Sequence, residues 1–157
     1  MTARPEPATS DREIVQSRVY DAPRELVFAA WTDPKHVTHW WGPRGFTTTT
    51  HEMDVRPGGV WRFVMHGPDG TDYKNRIIYL EVAPPERLAY KHAGEEDTEG
   101  VKFHTTVTFA DRGGKTELTM RMVFETAAER NHVVEKYGAV EGGKQTLERL
   151  AEFLAAK

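Results

Sequence analysis

Between Glu13 and Phe124 the apolar residues recur mainly at every second position, whereas from Thr126 to Ala156 they recur at steps of three and four. The first spacing is that of strands with one buried face, the second that of an amphipathic helix. In the C-terminal stretch, Val133, Tyr137, Val140, Leu147, Leu150, Ala151 and Leu154 fall within about half the circumference of one long helix. T-A-A-E at Thr126 to Glu129 has the form of a capping box, so the helix is predicted to start there. Each side chain of its stripe contributes roughly 1.5–3 kcal/mol when buried, which requires a partner surface.

The strands upstream supply that surface. Glu13 to Tyr20 reads as the first of them. Pro23 then suits the first turn of a short helix with an apolar face of Leu26, Val27, Ala30 and Trp31. Asp33-Pro34 reads as cap and first residue of a second short helix, which holds Val37, Trp40 and Trp41 and stops at Gly42-Pro43. The period then becomes two. Strands are expected over Phe46 to Val55, Val60 to His66, Tyr73 to Val82 and Arg87 to His92. Two more carry Phe103 to Phe109 and Leu118 to Phe124. R-P-G-G (Arg56 to Gly59), G-P-D-G (Gly67 to Gly70) and D-R-G-G-K join them as turns, and the acidic GEEDTEG (Gly94 to Gly100) as a loop. About seven strands, mostly hairpin-linked, predict an α+β fold with one antiparallel sheet.

Composition narrows the function classes. A chain of 157 residues fits one domain, expected over residues 13–157 behind a loose polar tail at 1–12. Cysteine is absent, which excludes disulfides, thiolate metal sites and cysteine nucleophiles. A net charge of -3 with both signs interspersed argues against nucleic acid as partner. No apolar run approaches the roughly 18 residues of a membrane span, and the first ten residues have no signal-peptide core. A cytoplasmic location is therefore expected, with no stable membrane insertion. A homodimer stays open.

Chemistry-bearing motifs are few. G-x-S-x-G, the P-loop, G-x-G-x-x-G and H-E-x-x-H are all missing. His36 and His39 stand three apart on the second short helix, but no third ligand is signalled, so no metal and no cofactor are expected. His92 shares a strand face with Leu88 and Tyr90, the face expected inward, where an imidazole serves as structural hydrogen-bonder or as acid or base. Trp40, Trp41, Trp61, Phe63, Tyr73, Tyr79 and Tyr90 are candidates for an aromatic-lined pocket. Of the adjacent tryptophans, one is expected to anchor beneath the first helix and the other to face a cavity mouth, because successive helical residues diverge by about 100°. Lys144 lies beside Tyr137 on the apolar stripe and Glu141 at its edge, either snorkelling to water or meeting a ligand at that mouth. Gly138, Gly142 and Gly143 mark either close approach by a neighbour or a break.

The element order resembles the helix-grip fold of the START and pollen-allergen superfamily, in which a curved sheet wraps a C-terminal helix and leaves a cavity. The segments VYDAPRELVFAAWTDPKHVTHWWGPRGF, MDVRPGGVWRF, HGPDG, YLEVAPPERLAY and GAVEGGKQTLERLAEFL are similar to bacterial homologues of the C-terminal domain of the activator of the 90-kDa heat-shock chaperone ATPase. The resemblance covers about Glu13 to Phe153. It implies a cavity domain that takes a small apolar or aromatic molecule. The eukaryotic activator's separate N-terminal chaperone-binding domain is not seen, so a chaperone partner is not what the resemblance implies. Three readings stand: a binding module, a cyclase- or hydratase-like enzyme using His92, Tyr90 or Glu141, and a protein-binding module.

Overall fold

The first strand pairs with the last. In the computed structural model, which describes residues 10–94 and 101–156, β1 (Glu13–Tyr20) runs antiparallel to β7 (Lys115–Phe124) over its whole length. The other strands are β2 (Thr47–Met53), β3 (Val60–His66), β4 (Asp72–Ala83), β5 (Arg87–Gly94) and β6 (Val101–Arg112). They form one seven-stranded antiparallel sheet in the order β1-β7-β6-β5-β4-β3-β2. Only the β1-to-β2 connection crosses from one edge to the other, and it does so through α1 (Arg24–Thr32) and α2 (Pro34–Val37).

Local chemistry accounts for the turns. Gly58 donates its N–H to the Tyr79 carbonyl at 2.8 Å, and Tyr79 donates back to the Gly59 carbonyl at 3.0 Å. This docks the R-P-G-G turn onto β4, where the register shifts between Tyr79 and Glu81. A Cβ at Gly59 would collide with the Asp54 carbonyl oxygen, so glycine there is a steric requirement. Arg56 closes the same turn with an ion pair to Asp54 at 2.7 Å.

The helices differ from expectation in three places. On α1, Leu26 is 48% exposed and Phe28 is buried instead, edge-on to Phe109 at 5.1 Å. Asp33 caps α2 by accepting the Lys35 N–H at 2.8 Å, as its sequence suggests, but α2 ends at Val37. Trp40 and Trp41 lie beyond it, where backbone carbonyls turn to a side chain of the C-terminal helix described below. The third difference is larger. The expected single long helix is two: α3 (Ala127–Tyr137) and α4 (Ala139–Ala155), broken at Gly138 (φ 61°, ψ 42°). A left-handed residue cannot continue a right-handed helix, and its N–H closes α3 on the Val134 carbonyl instead. The predicted start holds, with Glu129 donating its N–H to Thr126 Oγ1 at 3.0 Å.

The break redistributes the apolar stripe. Leu147 and Leu150 are buried and Ala151 and Leu154 half-buried, yet Val140, expected to be buried, is 42% exposed. Two glycines let α4 approach its neighbours. A Cβ at Gly143 would strike the Gln16 side chain of β1, and one at Gly142 would lie 3.2 Å from Pro43 Cγ. Tyr20 adds a buried hydrogen bond to the Leu147 carbonyl at 2.9 Å. Among the described residues, no helix is long and apolar enough to cross a membrane.

Burial on α4 sets a contrast testable by urea denaturation. Leu150→Ala should cost about 2–5 kcal/mol. Val140→Asp should stay within about 0.5 kcal/mol of wild type. A large loss in the second variant would contradict the placement of the α4 N-terminus.

Candidate functional site

Strand alternation puts Trp61, Phe63 and Met65 (β3), Tyr73, Asn75, Ile77 and Tyr79 (β4), Leu88, Tyr90 and His92 (β5) and Phe103, Thr105, Val107 and Phe109 (β6) on the face that carries the helices. Burial changes along this face in one direction. Trp61, Phe63, Ile77, Tyr79, Leu88, Tyr90, Thr105, Val107, Phe109, Leu118 and Met120 are buried. At the other end of the same strands, Met65, Asn75, His92, Phe103 and Met122 are only half-buried, and Tyr73 is 38% exposed. Phe124, tilted against Phe103 at 4.8 Å, is the exception. The interior is thus sealed at one end and accessible at the other, where the N-terminal turn of α4 stands.

The sealed end is aromatic. All four tryptophans belong to one cluster: Trp31 lies 5.0 Å from Trp40 and 5.5 Å from Trp41, and Trp41 lies 4.9 Å from Trp61. Trp40 is fully buried and donates its indole N–H to the Ala30 carbonyl at 3.1 Å, so it is the anchor. Trp41 is half-buried and turns its ring towards Trp61 and Phe63 on the sheet.

Polar groups cross the apolar face in a short line. His92 donates from Nε2 to Asn75 Oδ1 at 2.8 Å. That direction is fixed because the Asn75 amide nitrogen donates to the Tyr73 carbonyl at 3.0 Å, leaving Oδ1 as acceptor. The imidazole stacks on Phe103 at 4.7 Å. Two residues back on β5, Tyr90 faces Thr105 of β6. Burial holds the Tyr90 and Tyr79 phenols well above their ordinary range, so neither is a base near neutral pH. Thr105 is buried with its hydroxyl against the Tyr90 phenol. Its counterpart Thr116, equally buried, donates to the Ala22 carbonyl at 2.7 Å.

The remaining candidates do not converge with these. Glu141 and Lys144 are both exposed, and Glu141 accepts from Gln145 at 3.3 Å rather than facing His92 or Tyr90. Tyr137 ends α3, and its side chain lies outside the described residues. His36 and His39 pack on Phe153 of α4, the latter stacked at 6.1 Å. Among the described residues, no group of three or more histidines and carboxylates is arranged to hold a metal ion.

A residue missed in the sequence holds the site together. The guanidinium of Arg149 sits among five backbone carbonyls. Nη1 faces those of Trp41, Gly42, Pro43 and Phe46 at 2.9–3.4 Å, and Nη2 that of His39 at 3.2 Å. Burial, and then the like charge of Arg44, bring its pKa down. Arg44 itself latches the loop from outside, donating to Glu152 at 2.6 Å, with Glu148 at 3.5 Å. Its hydrogen bond pulls the Glu152 carboxyl below the ordinary range. The only available signal was an arginine one residue from the buried stripe position Leu150, which usually means a snorkelling surface cation.

An open antiparallel sheet gripping a C-terminal helix, with an aromatic inner face accessible at one end, defines a helix-grip domain. The family model described as "Activator of Hsp90 ATPase homolog 1-like protein" matches residues 21–155, and the chain belongs to this family. Among solved structures, a Rhodobacter sphaeroides protein is 27% identical with a TM-score of 0.80, covering 94% of this chain and 95% of its own. A Nitrosomonas europaea protein has a TM-score of 0.84 at 24% identity, covering 94% and 96%. The AHSA1 protein of Silicibacter pomeroyi has a TM-score of 0.74 at 21% identity, covering 92% and 98%. These last two share the fold. A search of curated proteins returned no match.

Arg149→Met should strand several half-buried carbonyls and cost at least about 1–3 kcal/mol in urea denaturation. Arg149→Lys should recover only part of that, because an ammonium cannot span the same fork of acceptors. Since the folded Glu152 carboxyl lies below its ordinary value, the Arg44 latch stabilises the fold at neutral pH. That contribution is lost only as pH falls through the folded value. The difference in urea stability between wild type and Arg44→Met should therefore be constant around neutrality and shrink only at acid pH.

Proposed function

We propose that this domain binds a small, largely apolar molecule between the inner face of the sheet and α4, without changing it chemically. The observation that carries the reading is the burial gradient: at one end, inner-face residues of five strands stay half-open beside the first turn of α4. In a core packed to its normal density such side chains would be covered. Ligand sites are typically concave, mostly apolar and fitted with a few placed polar groups. Trp41, Trp61, Phe63, Phe103 and Tyr90 supply the apolar wall, and His92 with Asn75 a polar contact near the mouth. Entry lies at the half-open end of the sheet face, past His92, Phe103 and Met122, since the Pro43–Phe46 loop is packed against α4.

The enzyme alternative rests on His92 alone. Glu141 points elsewhere and Tyr90 is held protonated, so the acid–base pair that a cyclase or hydratase needs does not assemble around it. Membership of the family is not by itself a reason to assign chaperone activation to this chain.

The experiment is a displacement assay with the fluorophore N-phenyl-1-naphthylamine, read against tryptophan emission and combined with mass spectrometry of natively purified protein. Trp41→Ala should weaken probe binding about 10-fold or more while the protein stays folded. Trp40→Ala should instead cost about 3–5 kcal/mol of stability. Unchanged probe binding in a folded Trp41→Ala variant would place the site elsewhere.

A further inference from the structure

Three polar residues meet near the β2 edge of the sheet, on the face opposite the helices and apart from the cavity. Thr48 and Thr50 bond to the Trp41 carbonyl and the Trp61 indole on the inner side, so alternation points Thr49 outward. On the same outer face, register sets His66 of β3 between Thr47 of β2 and Asp72 of β4. His66 Nδ1 donates to Asp72 Oδ1 at 2.8 Å, and Thr49 Oγ1 lies 2.8 Å from His66 Nε2. An ionised carboxylate can only accept, which keeps the proton of a neutral imidazole on Nδ1 and leaves Nε2 to accept from Thr49. Hydroxyl, base and orienting carboxylate thus stand in the order that activates a nucleophile. We propose that Thr49, His66 and Asp72 form a nucleophilic site that takes acyl groups from esters or thioesters of small carboxylic acids.

The scaffold holds this order before any substrate arrives. Three adjacent strands carry the residues. The turn after His66 is closed by the Gly67 N–H on the Thr71 carbonyl at 2.8 Å and the Thr71 N–H on Asp69 Oδ1 at 3.0 Å. Thr49 is exposed and the His66 side chain is 38% so, which admits a small acyl donor without any opening of the fold. His92 differs, because its partner is the Asn75 amide, which carries no charge to stabilise an imidazolium. Val64 and Lys74 continue the transverse row of Thr49, and Lys74 puts a cation on the same face as the oxyanion that forms. In the step itself, Thr49 Oγ1 bonds to the carbonyl carbon and His66 Nε2 takes the hydroxyl proton. The tetrahedral oxyanion then collapses, and the bond from the carbonyl carbon to the leaving oxygen or sulfur breaks. The leaving group departs with the bonding pair and the proton passes to it or to water. Water, deprotonated by His66 in turn, releases the acid and restores Thr49.

The probe is p-nitrophenyl acetate at mildly alkaline pH, followed by release of p-nitrophenolate and by peptide mass spectrometry. Wild type should release roughly one equivalent in a burst and carry the acetyl group on Thr49. Thr49→Val should lose both burst and label, and Thr49→Ser should keep both. His66→Gln should slow acetylation at this position about 100-fold. Asp72→Asn, which leaves the imidazole unoriented, should slow it about 10-fold or more, and Asp72→Glu should recover part of the rate. All of these variants should melt like wild type, because the three side chains reach solvent. They should also bind N-phenyl-1-naphthylamine unchanged, since the cavity lies on the other face. Acetyl groups found in wild type on lysines alone, or Thr49 labelled as fast in His66→Gln as in wild type, would overturn the proposal and leave the cavity reading standing.

Discussion

One guanidinium fixes the relation between the C-terminal helix and the rest of the domain. Arg149 reaches from α4 into the turn after α2, where the carbonyls from His39 to Phe46 have left the helical pattern and need donors. Orphan carbonyls at a helix end must be met by something, and here they are met from another element 100 residues away. The loop that carries Trp40 and Trp41 is consequently held at a set distance from α4. The Arg44 ion pairs repeat the link on the solvent side, but an exposed pair of that kind contributes little beside the half-buried one.

With that loop fixed, the aromatic cluster has a defined shape. Trp40 is locked by its bond to Ala30, and Trp41 is left facing Trp61 and Phe63. Close approach on the other side of α4 comes from the two glycines, which admit Pro43 and Gln16. The helix is therefore gripped near its first turns by β1 and by the loop, while the sheet face towards His92 keeps access to solvent.

Polar groups on the inner face divide by burial. His92 and Asn75 form a closed hydrogen bond where water can reach, so their orientation costs little. Thr105 is deeper, with its hydroxyl against the Tyr90 phenol, and the buried Trp31 indole N–H has no acceptor among the described residues. Thr116 and Trp40 found carbonyl partners in the same core.

The sequence by itself determined the strands, their turns and the order of elements. Period-two alternation and R-P-G-G, G-P-D-G and D-R-G-G-K punctuation are local signals, each read within a few residues. So were the Asp33 and Thr126 caps and the inward direction of Trp61, Phe63, Tyr90 and His92. The C-terminal helix shows the limit. Apolar spacing continued smoothly through Gly138, because periodicity counts residues and does not register a single positive φ angle. Only the tertiary structure decided that the chain breaks there, leaving Val140 exposed. Arg149 and the contact of Gln16 with Gly143 were equally invisible, since each is defined by atoms far distant in the chain. Local sequence specifies what a segment prefers; which polar atoms find partners is settled only when the distant segments meet.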